Sequence, residues 1–122
     1  MVKTKSVNEP IEILDGIRIL VSLYPVRKQK NIPPFVMEKA RELAPSAELL
    51  NDWKEKRISW GEYESRYLKE MLGQRQKEKI KELAERSKHE TITLLCFEPE
   101  GDLHCHRYLL RQLIENEERN IE

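Results

Sequence analysis

The residue types best suited to chemistry in this chain gather in one stretch, Cys96-Phe97-Glu98-Pro99-Glu100-Gly101-Asp102-Leu103-His104-Cys105-His106-Arg107. It holds both cysteines and two of the three histidines. If Asp102 caps a helix, Cys105 falls in the first turn, where amide dipoles and a neighbouring Arg107 or protonated histidine favour the thiolate. Cys105 is then a candidate nucleophile, and His106 or His104 its base. Glu98 follows an apolar run and is a candidate general base. Arg107 and the helix amides can hold a phosphate or carboxylate, with Arg27, Lys28 and Lys30 adding positive charge.

Plainer roles compete with each of these. Cys105 can pack as a small apolar residue, and Arg107 can simply pair with Glu98. Cys96 ends an apolar strand and reads first as a buried structural thiol, second as a resolving thiol or metal ligand. His104 and Asp102 need be no more than local capping chemistry. No Cys-x-x-Cys or His-x-x-x-His spacing is present, so no metal is assigned. Were one bound, Cys96, Cys105 and His106 would hold it, with Glu98 or His104 nearby. A Gly-rich phosphate loop is missing. Cys105 and Arg107 are two positions apart, too close for a tyrosine-phosphatase loop.

These residues must be positioned by the elements around them. Residues 1–10 read as a flexible tail, and 11–122 as a single α/β domain. Ile11–Leu14 and Ile17–Tyr24 flank Asp15-Gly16, the signal of a type I′ hairpin. The second run is nearly all apolar, as in a strand covered on both faces. A basic, proline-bearing loop follows over 25–34. Phe35 to Leu43 has helical spacing. Ser46 can cap a helix to about Lys56, and Ser59 opens another with Glu62 completing a capping box. Trp53, Trp60, Tyr63 and Tyr67 lie on helical faces and read as core. A break near Gly73 precedes a basic helix with Ile80, Leu83 and Ala84 as its apolar stripe. Glu90 to Phe97 reads as a buried strand, and a closing helix buries Leu109, Leu110, Leu113 and Ile114. The expected architecture is α/β: a small, mostly parallel sheet with an N-terminal hairpin, flanked by several helices. With strands 17–24 and 91–97 parallel, the loops at 25–34 and 98–104 leave from their carboxyl ends. Open α/β sheets bind ligands there.

Charged residues make up 36% of the 122, and the net charge is zero. The charge is uneven: residues 54–88 carry +4 and residues 89–122 carry −5. This excludes a broad basic nucleic-acid platform but not a small phosphate pocket. Abundant Lys and Glu with few Asn and Gln is a thermophile-like bias. No apolar run approaches the ~20 residues of a membrane span, and Met1 to Glu9 lacks the apolar core of a signal peptide. The chain reads as cytoplasmic. Its cysteines are then thiols, although a Cys96–Cys105 bridge stays open in a hyperthermophile.

Several segments occur in an order that resembles the domain of unknown function 488 family. They are Asp15-Gly16-Ile17-Arg18-Ile19-Leu20-Val21, Tyr24-Pro25 with Arg27, Ala44-Pro45-Ser46, Tyr63 to Arg66-Tyr67-Leu68, Thr93-Leu94-Leu95-Cys96 with Glu98, and Cys105-His106-Arg107. The likeness runs from about residue 9 to 114. It implies a compact α/β fold with a helix-flanked sheet, and no particular reaction. Many relatives carry Trp-Pro-Arg-Gly after the first long strand, where this chain has Tyr24-Pro25-Val26-Arg27-Lys28. The leading expectation is a small enzyme with an anion-binding, cysteine-containing pocket. The alternative is a non-catalytic interaction module, with nucleic-acid contact through the 25–34 loop and the basic helix as a third reading. Cofactor, substrate and oligomeric state are left open.

Overall fold

The computed structural model of the protein describes residues 1–23, 37–96 and 104–120. Four strands, β1 (Val2–Ser6), β2 (Ile17–Leu20), β3 (Met37–Lys39) and β4 (Ile92–Cys96), form one sheet in the order β1-β4-β2-β3. All three pairings are parallel. Four helices complete the described elements: α1 (Ala47–Lys54), α2 (Trp60–Glu70), α3 (Gln74–Ser87) and α4 (His106–Asn120). The α/β class and the parallel partnership of β2 with β4 are as the sequence predicts. No helix among the described residues is long and apolar enough to cross a membrane.

β4 is the central strand, and all five of its residues are buried. Side chains alternate between the two faces of a strand. Ile92 and Leu94 join Val2, Ile19 and residues of all four helices in the main core. Leu95 forms a smaller cluster with Leu20 and Val7. α1 and α2 start where expected. Ser46 Oγ accepts from the Leu49 amide, and Ser59 Oγ accepts from the Glu62 amide. Tyr63 and Tyr67 of α2, Met71 at its carboxyl cap, Ile80, Leu83 and Ala84 of α3, and Leu110 and Ile114 of α4 all enter the core. The buried Tyr67 hydroxyl donates to the Leu43 carbonyl at 2.7 Å.

The amino-terminal part departs from expectation. Residues 2–6 are not a tail but an edge strand, in register with β4 from Val2–Ile92 to Ser6–Cys96. Val-Lys-Thr-Lys-Ser looks solvated because its lysines carry charge, yet Lys5 is buried. Its ammonium donates to Pro10 O and Glu12 Oε1, each at 2.8 Å, and to Asp15 Oδ1 at 3.0 Å. The chain doubles back between β1 and β2 in a hairpin-like start, as expected, but these two strands are not paired with each other. Ile13–Asp15 is a 3-10 turn, and β4 lies between the two parallel strands. The helix expected over 35–43 is also replaced: Met37–Lys39 pairs with β2, and Arg41–Leu43 is a 3-10 turn. Pairing with a sheet edge outweighs local helical spacing over so short a segment.

Asp15 closes this region. Its carboxylate accepts from the Glu12 amide at 3.0 Å and from Lys5, while its carbonyl accepts from Thr93 Oγ1 at 2.7 Å. Burial pushes the Asp15 carboxyl up, but the Glu12 amide, Lys5 and Arg18 together hold it below its ordinary value. Burial likewise pushes Lys5 down, and Glu12 and Asp15 outweigh it, leaving the ammonium above its ordinary value. Gly16 follows with φ +64°, and a Cβ there would stand 2.1 Å from the Thr91 carbonyl oxygen.

Two predictions follow from this corner. Gly16→Ala combines left-handed strain with a backbone clash and is expected to cost about 3 kcal/mol, measured by urea unfolding. The Asp15 contribution is complete above its unfolded value of 3.8 and disappears as pH falls through the lower folded value. The Lys5 contribution is complete below 10.5 and disappears as pH rises through its raised folded value. Unfolding free energy should therefore fall below about pH 4. In Asp15→Asn that acid limb should flatten; an unchanged limb would assign it to other carboxylates.

Candidate functional site

The carboxyl ends of β2 and β4 lie side by side, because Ile17–Leu20 is in register with Ile92–Leu95. The pairing continues one residue further, with the Val21 amide donating to Leu95 O at 3.0 Å. Cys96 ends β4, and Cys105 stands immediately before α4 rather than inside its first turn. His106 is the first residue of that helix. One ligand atom each from Cys96, Cys105 and His106 lie within 4.8 Å of one another, and all three residues are buried. The two cysteines are not joined by a disulfide.

His106 has a defined orientation. Its Nε2 lies 2.6 Å from the Val21 carbonyl oxygen. A carbonyl only accepts, so Nε2 carries the proton. Nδ1 is then the lone-pair nitrogen of the neutral ring, and it faces Cys105 Sγ at 3.9 Å. The Tyr67 ring packs 5.6 Å from the imidazole. Sequence reasoning missed Val21, and no side-chain motif could have revealed it, since only its main-chain oxygen takes part.

The Cys105 sulfur beside it, and then burial, push the Cys96 thiol far above the ordinary thiol range, against the opposing influence of His106. Arg107 is fully enclosed; its Nη2 donates to Tyr108 Oη at 3.0 Å and its guanidinium lies 4.9 Å from the Tyr108 ring centre. Burial lowers the guanidinium's affinity for its proton, but Tyr108 and the nearby cysteines more than restore it.

A cavity of about 140 Å³ opens on this cluster, with Ser22, Trp53, Tyr63, Cys96, Cys105 and His106 among its walls. A larger cleft of about 630 Å³ runs past Arg41, Glu70 and Arg75 and shares Leu23 and Pro45 with it. His104, expected to be local capping chemistry, is exposed and lies 4.9 Å from the Trp60 ring and 5.6 Å from the Trp53 ring. Trp60 in turn stacks on Tyr63 at 4.7 Å. The aromatic residues expected as core thus divide: Tyr63 and Tyr67 are buried, while Trp53 and Trp60 are partly buried, Trp53 lining the cavity and Trp60 packing against Trp53.

The structure therefore brings together Cys96, Cys105, His106 and Arg107. Glu98, Arg27, Lys28, Lys30 and Asp102 lie outside the described residues. On α3, several cations of the basic helix have acidic neighbours: Arg86 pairs with Glu38 at 2.6 Å and Lys79 with Glu82 at 3.3 Å.

No curated protein and no solved structure matches this chain. A family model, described as the active DUF488-N3 subclade, matches residues 2–118. The match takes in all four strands, α1 to α3, α4 as far as residue 118 and the whole thiol–imidazole cluster. The chain belongs to the DUF488 family.

Proposed function

We propose that the protein is a small enzyme whose reactive group is the Cys105 sulfur, in a pocket that takes a small anionic substrate. The observation that carries this reading is the pair Cys105 Sγ–His106 Nδ1, with the far side of the ring anchored on the Val21 carbonyl. Nucleophile, base and orienting group stand in the order that covalent catalysis requires. His106 Nδ1 takes the thiol proton, and Nε2–H stays on Val21 O as the imidazolium forms. The Cys105 thiolate then attacks an electrophilic centre of the anion held in the cavity; as the bond to sulfur forms, the bond to the leaving group breaks, and the leaving group departs with the proton carried by His106 Nδ1. The enclosed Arg107 charge stabilises the thiolate through the low-dielectric interior. Cys96 stays protonated at neutral pH and can donate its S–H towards the Cys105 sulfur. Glu98 is assigned as a second base, and Arg27 and Lys28 as anion-binding groups. The description of the matched subclade as active agrees with an enzyme. The reading places the chain in the cytoplasm, where a thiol pair stays reduced, and treats β1 to α4 as one domain.

Alkylation tests it. Limiting iodoacetamide followed by peptide mass mapping should mark Cys105 at least about 10-fold faster than Cys96. His106→Gln should slow that labelling about 100-fold, with circular dichroism confirming the fold. Equal labelling of the two cysteines, or a rate indifferent to His106, would remove the basis for a catalytic thiol.

A further inference from the structure

The same three side chains have a second chemical capacity, which stands on geometry and holds whether or not Cys105 turns over a substrate. We infer that Cys96 Sγ, Cys105 Sγ and His106 Nδ1 form a binding site for a borderline-soft divalent cation of the zinc class, with a fourth coordination position open to the cavity.

The donor set suits such an ion. Two thiolates and a neutral imidazole balance its charge and match its preference for sulfur and nitrogen, whereas magnesium and calcium prefer all-oxygen sites. The spacing suits it as well. Bonds of about 2.3 Å to sulfur and 2.0 Å to nitrogen in a tetrahedron put neighbouring ligand atoms roughly 3.6–3.8 Å apart. Cys105 Sγ and His106 Nδ1 are already 3.9 Å apart, and no pair in the cluster exceeds 4.8 Å. Closing on an ion thus needs side-chain movements of less than about 1 Å.

The surroundings are also those of a metal site. A ligating imidazole commonly donates its other N–H to a carbonyl or carboxylate, which fixes the ring and its tautomer. Val21 O does this for His106 at 2.6 Å. The acceptor is held in turn by the Val21–Leu95 ladder bond. The three ligands come from two rigid places, the end of β4 and the start of α4. All three line the cavity, which supplies an entry path and room for a fourth ligand. On binding, the ion replaces the two thiol protons, which leave to solvent. The nucleophile and the metal complex are then alternative states of one site, and the ion shields Cys105 from electrophiles.

Titration of the reduced full-length protein with cobalt(II), followed by zinc(II), tests this. One cobalt per chain is expected, with thiolate-to-metal charge-transfer absorption and visible bands of tetrahedral intensity, both lost on adding one equivalent of zinc. Cys96→Ser and Cys105→Ser should each weaken binding at least about 100-fold, and His106→Gln about 10- to 100-fold. Saturating zinc should also suppress alkylation of Cys105. A charge-transfer band that is absent, or that persists unchanged in Cys96→Ser, would overturn the metal site. The two ideas fail separately: alkylation selective for Cys105 without metal uptake leaves the nucleophile alone, and tight metal uptake with an inert Cys105 leaves the metal site alone.

Discussion

The parallel ladder around β4 is the interaction on which the rest of the molecule depends. β4 bonds to β1 on one side and β2 on the other, so its main-chain groups are satisfied although every side chain is buried. The ladder runs past the ends of the strands, with the Val7 amide on Cys96 O at 2.8 Å and the Val21 amide on Leu95 O at 3.0 Å. These last bonds set the height of Val21 beside Cys96. The Val21 carbonyl then takes His106 Nε2, so the orientation of the ring is inherited from the sheet. A parallel sheet places all its carboxyl ends at one edge, which is why thiols and imidazole meet there and not elsewhere.

The two faces of the sheet are stabilised differently. One is an apolar core shared with all four helices, where ridges of Leu, Ile, Tyr and Met exclude water. Among the described residues, the other carries a small apolar cluster beside Lys5, Asp15 and Thr93. Burying a lysine and an aspartate is costly, and breaking such a pair costs about 3–5 kcal/mol. Here the ammonium has three acceptors and the carboxylate keeps both the Glu12 amide and Lys5. The knot also ties the turn at 12–16 to β1 and β4, which fixes where β2 starts. Gly16 is the one residue that lets the chain pass so close to the Thr91 carbonyl.

The candidate site is correspondingly uneven. Its floor is rigid strand end and helix start, and its mouth is aromatic. Trp53, Trp60 and Tyr63 are carried by α1 and α2, and His104 lies against the two tryptophans. Enclosed Arg107 adds positive charge behind the thiols. Two thiols and a fixed imidazole thus line one small cavity, and the buried guanidinium follows them directly in the chain.

Much of this was legible from residue order. The helix starts at Ser46 and Ser59, the apolar stripe Ile80–Leu83–Ala84, the buried strand ending in Cys96, and the reactive segment Cys105-His106-Arg107 all follow from local rules, because capping and periodicity act within a few residues. What those rules misjudged depends on partners far along the chain. Val2–Ser6 is a strand because β4 offers an edge and Asp15 a counter-charge for Lys5. Asp15-Gly16 makes a close pass by Thr91, and the hairpin-like start lacks a direct ladder between its arms because β4 inserts between β1 and β2. Met37–Lys39 is a strand because β2 has a free side. The sequence by itself determined which side chains could react and the elements that carry them. Only the tertiary structure decided that Cys96, nine positions before Cys105, lies within bonding reach of the same imidazole, and that a carbonyl at Val21 holds the ring. Main-chain ladders between distant segments set those distances, and no local pattern encodes them.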